Sequence, residues 1–302
     1  MPLNIPDGLP AIDILKEENI FVIDHSRAHS QDIRPLKIAI LNLMPLKITT
    51  ETDLVRLLSN SPLQIELDFI KIRSHTSKNT PAEHMKRFYI DFEEVKKHRY
   101  DGLIVTGAPV EQLEYSEVNY WDEMVDIFNW AKEKVTAKMF ICWSAFAALY
   151  YYYNIPKHPL DKKKFGVFEH SINDPLNPIF RGFDDIFYVP HSRHTELRKE
   201  DILKCDSVKI LAESPDAGPY MMMADDGKEL YLTGHAEYNP DTLDTEYKRD
   251  KAKNLPIEIP KNYYKNDNPD LFPVVRWRST ANLMFSNWLN YFVYQKTPYK
   301  LD

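Results

Sequence analysis

The feature that most constrains this chain is an alternation. Between residues 36 and 153, apolar runs rich in branched side chains and segments of helical period follow one another four times. Residues 36–44, bounded by Pro35 and Pro45, have no polar face and read as a strand buried on both sides, as in a parallel sheet. Thr49 or Thr50 is placed to cap the next helix, which sets Asp53 on one side and Leu54, Leu57 and Leu58 on the other. Residues 63–72 read as a second strand through Ile65, Leu67, Phe69 and Ile70. After a polar loop at 74–81 come a helical pattern at 82–98 and a buried strand at 100–107 that ends on Gly107. An amphipathic helix at 118–134 carries Trp121, Met124, Ile127, Phe128 and Trp130; a short strand at 138–142 and a helix at 145–153 follow. Such a succession predicts an α/β fold, a mostly parallel sheet flanked by helices and joined by right-handed crossovers. Ligands bind beyond the carboxyl ends of the strands in such sheets, which puts Gly107 and Cys142 on one rim.

The second half is less regular. Short strands are expected at 186–189, 208–212, 220–224 and 229–233, and an amphipathic helix at 279–293. Residues 250–273 are polar and proline-marked and read as a surface excursion. Residues 1–35 read as an N-terminal extension packed on the body, and 36–302 as a single α/β domain.

Charge and cysteine content narrow the class. Asp and Glu number 45 against 38 Lys and Arg, with no long basic run, so a nucleic-acid surface is not expected. Two cysteines, Cys142 and Cys205, do not make a secreted disulfide scaffold. The start lacks the basic and apolar regions of a signal peptide, and no run is long enough to cross a bilayer. A cytoplasmic location with free thiols is expected.

Cys142 is the strongest chemical position. It ends an apolar strand, and the small residues Ser144, Ala145, Ala147 and Ala148 open the next helix. A side chain in so tight a strand–helix turn is pushed outward, as in a nucleophile elbow. The helix amides there favour a thiolate and can hold an oxyanion. A cysteine in an apolar run also reads as plain core. His235 and Glu237 follow another apolar strand and a glycine; as a base and its orienting carboxylate they would complete a catalytic set, and as a surface pair they would do nothing. The stretch His191-Ser-Arg-His194 concentrates donors, and Arg193 could fork a carboxylate; no recognised metal-ligand spacing accompanies it, so no metal is expected. Lys162, Lys163 and Lys164 read as a short solvated charge run.

These residues sit in ordered blocks along essentially the whole chain: MPLNIPDGLPAIDIL at the start, TGAPVE at 106–111, FICWSAFAAL at 140–149, KFGVFEH at 164–170, VPHSRHTE at 189–196, LTGHAEYNPDTLDTEYKRD at 232–250 and RWRSTANLMFSNWLNY at 276–291. In these the chain resembles the homoserine O-acyltransferases of methionine biosynthesis, which have a class I glutamine-amidotransferase-like (flavodoxin-like) fold. The resemblance implies Cys142 as acyl-thioester nucleophile, His235 as proton acceptor and Glu237 as third active-site residue. Lys163, Ser192 and Arg249 match substrate-contacting positions. The family contains acetyl- and succinyl-transferring members, and Glu111 matches the position that goes with acetyl. The implied reaction is ping-pong transfer from acetyl-CoA, a co-substrate and not a bound cofactor, to the hydroxyl of L-homoserine. Its alternatives are the same transfer from succinyl-CoA, or glutamine hydrolysis as in sister enzymes of the fold. No membrane partner is implied; a homodimer is compatible with the family.

Overall fold

In the central strands, alternate side chains enter two different cores. Along Leu36–Leu41, Ile38 and Ile40 join one apolar cluster while Ala39 and Leu41 join another. Val135–Ile141 divides in the same way, with Met139 and Ile141 on one side and Phe140 on the other. A strand that buries both faces needs helices above and below it, which explains its continuous apolar run. One cluster is covered by the helices Lys47–Leu58 and Arg278–Asn287, the other by Trp121–Lys134 and Trp143–Tyr153. Each leucine or phenylalanine so buried contributes about 1.5–3 kcal/mol.

The computed structural model describes residues 3–5, 8–17, 22–24, 34–75 and 79–298. Much of the expected extension at 1–35, and 76–78 of the expected loop at 74–81, lie outside the described residues. The strands are β1 Leu3–Ile5, β2 Val22–Asp24, β3 Leu36–Leu41, β4 Ile65–Lys71, β5 Tyr89–Asp91, β6 Tyr100–Val105, β7 Val135–Ile141, β8 His158–Ile172, β9 Ile186–Glu196, β10 Lys209–Ser214, β11 Gly218–Ala224 and β12 Glu229–Leu232. They form one sheet in the order β2-β1-β4-β3-β6-β7-β12-β11-β10-β8-β9, with β5 beside β4. Pairing is parallel from β2 through to β12 and antiparallel from β12 to β9. The register Ile141 against Leu232 brings the chain out of β7 and β12 at the same level. Cys142 and the segment 233–237 therefore leave the sheet side by side.

Several local expectations are corrected. The first long helix begins at Lys47 with Leu46 at its N-cap, so neither Thr49 nor Thr50 caps it; the Thr50 hydroxyl donates back to the Leu46 carbonyl at 3.3 Å. Residues 82–98 are not one helix. Helix Ala82–Phe88 gives way to β5 and then to the short helix Phe92–Val95. Tyr89 pairs with Phe69, and its hydroxyl donates to Glu51 at 2.5 Å and accepts from Asn42 at 2.9 Å, partners that outweigh local helical preference. The strand β8 and the helix Thr242–Ala252 were not anticipated. Within 250–273, Tyr263 and Tyr264 are buried against Phe165, Leu243 and Trp277, while Leu255 and Phe272 are exposed. No described helix is long and apolar enough to cross a membrane.

Candidate active site

Cys142 stands alone between strand and helix, with φ 53° and ψ −119°. A non-glycine residue held there is strained, and persists only where its surroundings fix it. Its N–H donates to the Leu232 carbonyl at 2.6 Å, tying it to β12. Its own carbonyl accepts from Ala145 at 2.9 Å and Phe146 at 3.2 Å, starting the helix. The Ser144 hydroxyl clamps the turn: it accepts from the Ile141 N–H at 2.9 Å and donates to the Val105 carbonyl at 2.7 Å. The Trp143 N–H, next to Cys142 in the chain and first in its helix, has no acceptor within that helix. Cys142 is 5% exposed.

Two glycines keep the space open. A Cβ at Gly107 would lie 3.3 Å from the Cys142 Cβ and 3.4 Å from the His235 Cε1, so this residue floors the gap between the two. A Cβ at Gly234 would meet the His191 Nε2 and the Val189 side chain at 2.8 Å, which only glycine avoids.

His235 is fixed on three sides. Its Nδ1 lies 2.6 Å from the Glu237 Oε1, its N–H donates to the Pro190 carbonyl at 2.8 Å, and its ring stacks on Tyr238 with centroids 4.1 Å apart. The remaining nitrogen, Nε2, has no such carboxylate partner among the described residues, and a Cβ at Gly107 would lie within 3.4 Å of both this ring and Cys142. Burial pushes the imidazole toward neutrality, but the charges of Cys142 and Glu237 and the hydrogen bonds with both outweigh it, and the ring is held well above the ordinary histidine range. Cys142, His235 and Glu237 thus stand together, with the histidine held by the carboxylate, an arrangement that could serve as a Cys–His–acid triad.

Lys163, Ser192 and Arg249 come together as well, on a carboxylate that sequence reasoning missed. The Lys163 Nζ lies 2.6 Å from the Glu246 Oε1, the Ser192 hydroxyl donates to Glu246 at 2.9 Å, and an Arg249 nitrogen lies 3.6 Å from it. Arg249 also donates to the Asp250 Oδ1 at 2.6 Å. Lys163 is therefore no solvated surface charge. The helix bearing Glu246 is seated by Leu243 and Tyr247, which pack with Phe165, Tyr263, Tyr264 and Trp277.

The Glu111 side chain reaches β9. Its Oε1 accepts from the His194 N–H at 2.9 Å, and its Oε2 is buried with no hydrogen-bond partner among the described residues. Burial raises its pKa, against the pull of that N–H and of Arg193, Lys163 and His235. Arg193, read from sequence as a fork for a carboxylate, is corrected: its donors are taken by His191 and by the Thr195 and Ala217 carbonyls. Asp53 is a further residue the sequence did not flag. It is buried near Glu237, hydrogen-bonded to Arg56 at 2.9 Å, and pushed up to about 7, chiefly by burial. Among the described residues, no three His, Cys, Asp or Glu side chains are grouped as metal ligands.

A family model described as "HTS: Homoserine O-succinyltransferase" matches residues 2–299. The chain belongs to this family. Among family relatives, a homoserine O-acetyltransferase of Bacteroides fragilis is 68% identical over 302 residues, covering 100% of this chain and 99% of the relative. A homoserine O-acetyltransferase of Brevibacillus brevis is 55% identical over 302 residues, with 100% and 99% covered. The fold is shared more widely. A glutamine amidotransferase structure from Methylobacillus flagellatus superposes with a TM-score of 0.54 at 10% identity, covering 90% of this chain and 100% of the other. The family's sheet is thus class I glutamine-amidotransferase-like, its parallel part carrying the cysteine and its antiparallel part the flanking wall.

Proposed function

We propose that this protein is a homoserine O-acetyltransferase, moving an acetyl group from acetyl-CoA to the γ-hydroxyl of L-homoserine to give O-acetyl-L-homoserine for methionine biosynthesis. The observation that carries the reading is full-length identity of 68% to a homoserine O-acetyltransferase. The grouping of Cys142, His235 and Glu237 supports it chemically.

The Cys142 thiolate attacks the thioester carbonyl of acetyl-CoA. A tetrahedral oxyanion forms, facing the Trp143 N–H. The bond to the CoA sulfur breaks, and CoA leaves with the proton of the His235 imidazolium, while acetyl stays on Cys142. Homoserine then gives its hydroxyl proton to the His235 Nε2, its oxygen attacks the acetyl-cysteine carbonyl, and Cys142 departs as thiolate. Exchange between two thioesters is nearly even in energy, so each half-reaction is accessible near neutral pH. Glu237 holds the imidazole in the tautomer that leaves Nε2 toward the sulfur.

Lys163, Ser192 and Arg249 surround the place for the amino acid. Arg249, half exposed, is bonded to Asp250 at its Nε and lies 3.6 Å from Glu246, and the α-carboxylate of the substrate would share its terminal nitrogens with Glu246.

Glu111 sets the donor. A succinyl group ends in a carboxylate, and the unpartnered Glu111 Oε2 disfavours it in either protonation state. Charged, Glu111 repels it; neutral, it fills the volume the longer chain needs. The succinyl name of the family model is thus compatible with an acetyl-transferring member. Rates with acetyl-CoA and succinyl-CoA, compared on the purified protein with L-homoserine, test this reading. Faster succinyl transfer would keep the mechanism and overturn the donor.

A further inference from the structure

Glu111 hangs on a segment that few bonds hold. The chain leaves β6 at Val105 and passes Gly107 beside Cys142 and His235. It is anchored again at Tyr115, a buried ring stacked between Trp121 and Tyr150 with centroids 4.9 Å and 4.6 Å away. Between these points residues 110–113 make a turn, closed by the Leu113 N–H donating to the Val110 carbonyl at 3.1 Å. Among the described hydrogen bonds, those that tie this turn to distant parts of the chain come from two donors. The His194 N–H holds the Glu111 Oε1 at 2.9 Å, and Lys157 holds the backbone.

The Lys157 ammonium donates to the Glu111 carbonyl at 2.6 Å and to the Leu113 carbonyl, and lies 4.7 Å from the centre of the Tyr115 ring. Carbonyls of a surface turn ordinarily bond to water; here both converge on one cation, and the aromatic face favours that charge further. Two of the three ammonium donors are thus committed to the backbone.

Lys157 is itself firmly placed. The helix Trp143–Tyr153, which starts next to Cys142, ends on Asn154 in the left-handed region with φ 53°. Ile155 is then buried, and Pro156 fixes the chain direction before Lys157 leads into β8. His158, the first residue of β8, pairs with Glu196 of β9, close to His194. One hairpin therefore supplies both grips on Glu111, Lys157 on its backbone and the His194 N–H on its carboxylate. Holding the peptide of residue 111 fixes the direction in which its side chain leaves.

We propose that Lys157 is a positioning residue for the choice of acyl donor: by clamping the turn 110–113 to the β8–β9 hairpin, it keeps the Glu111 carboxyl where the end of a longer acyl group would have to lie. This rests on the reading of Glu111 as the residue that disfavours succinyl. Without the clamp, only the bond to the His194 N–H holds the turn, and the carboxyl can swing aside. A lysine kept for a ligand would act in the opposite sense. Its charge would draw a succinyl carboxylate, and its loss would lower succinyl transfer. The sign of the change separates the two roles.

The test is competition between equal amounts of acetyl-CoA and succinyl-CoA for L-homoserine, read as the ratio of the two O-acyl products by mass. Wild type, Lys157→Met, Glu111→Gly and the double variant are compared. A ratio taken within one preparation does not depend on the fraction of protein that is folded, so a merely structural loss leaves it unmoved. In Lys157→Met the ratio of succinyl to acetyl product rises about threefold or more, part of the change produced by Glu111→Gly, because a loosened block excludes less than a fixed one. In the double variant, Lys157→Met adds nothing to Glu111→Gly, since the clamp then has no carboxyl to hold. An unmoved or falling ratio in Lys157→Met overturns the proposal, as does a further rise in the double variant. If Lys157→Met does not fold, Lys157→Gln, which keeps a donor but is too short to reach both carbonyls, takes its place and must move the ratio the same way. If Glu111→Gly alone leaves the ratio unmoved, the reading of Glu111 fails and the proposal with it. Transfer of neither group by wild type would overturn the proposed reaction itself, an outcome seen before any variant is made.

Discussion

The Lys163 Nζ lies 2.6 Å from the Glu246 Oε1, an ion pair set at the place where the amino acid is expected to bind. Glu246 is also the acceptor for Ser192, so it fixes two of the proposed substrate contacts at once. Glu246→Gln keeps the shape and removes the charge. A charged hydrogen bond is worth about 1.5–3 kcal/mol, so the KM for homoserine should rise about tenfold to a hundredfold. The rate of acetylation by acetyl-CoA alone should stay near wild type. Steady-state kinetics with both substrates varied checks the split.

Glu237→Gln tests the charge beside His235. The imidazole is held high by Cys142 and Glu237 together, against burial. Without the carboxylate, kcat/KM should fall by about a hundredfold or more, and the alkaline limb of the stability profile should move to lower pH. The sign follows from linkage. A histidine with raised folded pKa contributes stability that is fully present below its ordinary value and lost as pH rises through the folded one. Thermal melts of the two proteins, compared from pH 6 to pH 9, show whether the variant loses this contribution earlier.

His170 and His191 act in the opposite sense. Burial holds His170 down to about 3 from 6.5, and His191 well below 6.5. Below pH 6.5 the unfolded chain takes up protons that these folded rings refuse, so stability falls as pH drops, by about 1.4 kcal/mol per pH unit for each ring. His170→Phe removes one of the two and should shallow the slope of chemical-denaturation stability between pH 4 and pH 6. An unchanged slope would mean that His170 is not neutral in the fold.

How much of this could be read in the sequence depends on how far each partner lies along the chain. The strand–helix turn at Cys142 was legible because its signals are local: an apolar strand, then small residues that let a helix start at once. The parallel half was legible because strands with two buried faces leave long apolar runs. Strand β8 was not, because Lys162, Lys163 and Lys164 gave it the look of a solvated loop; Lys163 is drawn inward by Glu246, 83 residues on. The helix Thr242–Ala252 is polar on most of its surface, and Leu243 and Tyr247 are its buried apolar residues. Glu246 and Arg249 are three apart on it, a signal that ordinarily marks nothing more than an exposed pair. Residues 82–98 have helical spacing, and the pairing of residues 89–91 with β4, together with the distant partners of the Tyr89 hydroxyl, breaks them.

Glu111→Gly should widen the donor range. It removes the buried carboxyl whose Oε2 has no partner and frees the His194 N–H, a donor for a succinyl carboxylate. The ratio of kcat/KM for succinyl-CoA over acetyl-CoA should rise by about tenfold or more, relief of one like-charge contact being worth about 1.4 kcal/mol or more. Competition of the two donors for one variant preparation measures it directly.

The central claim is that acetyl passes through Cys142. The most direct measurement is intact-protein mass after mixing with acetyl-CoA in the absence of homoserine. A gain of one acetyl group, absent in Cys142→Ala and discharged when L-homoserine is added with appearance of O-acetylhomoserine, is the predicted result. Acetyl transfer at wild-type rate by Cys142→Ala, or an adduct that homoserine cannot discharge, would contradict it.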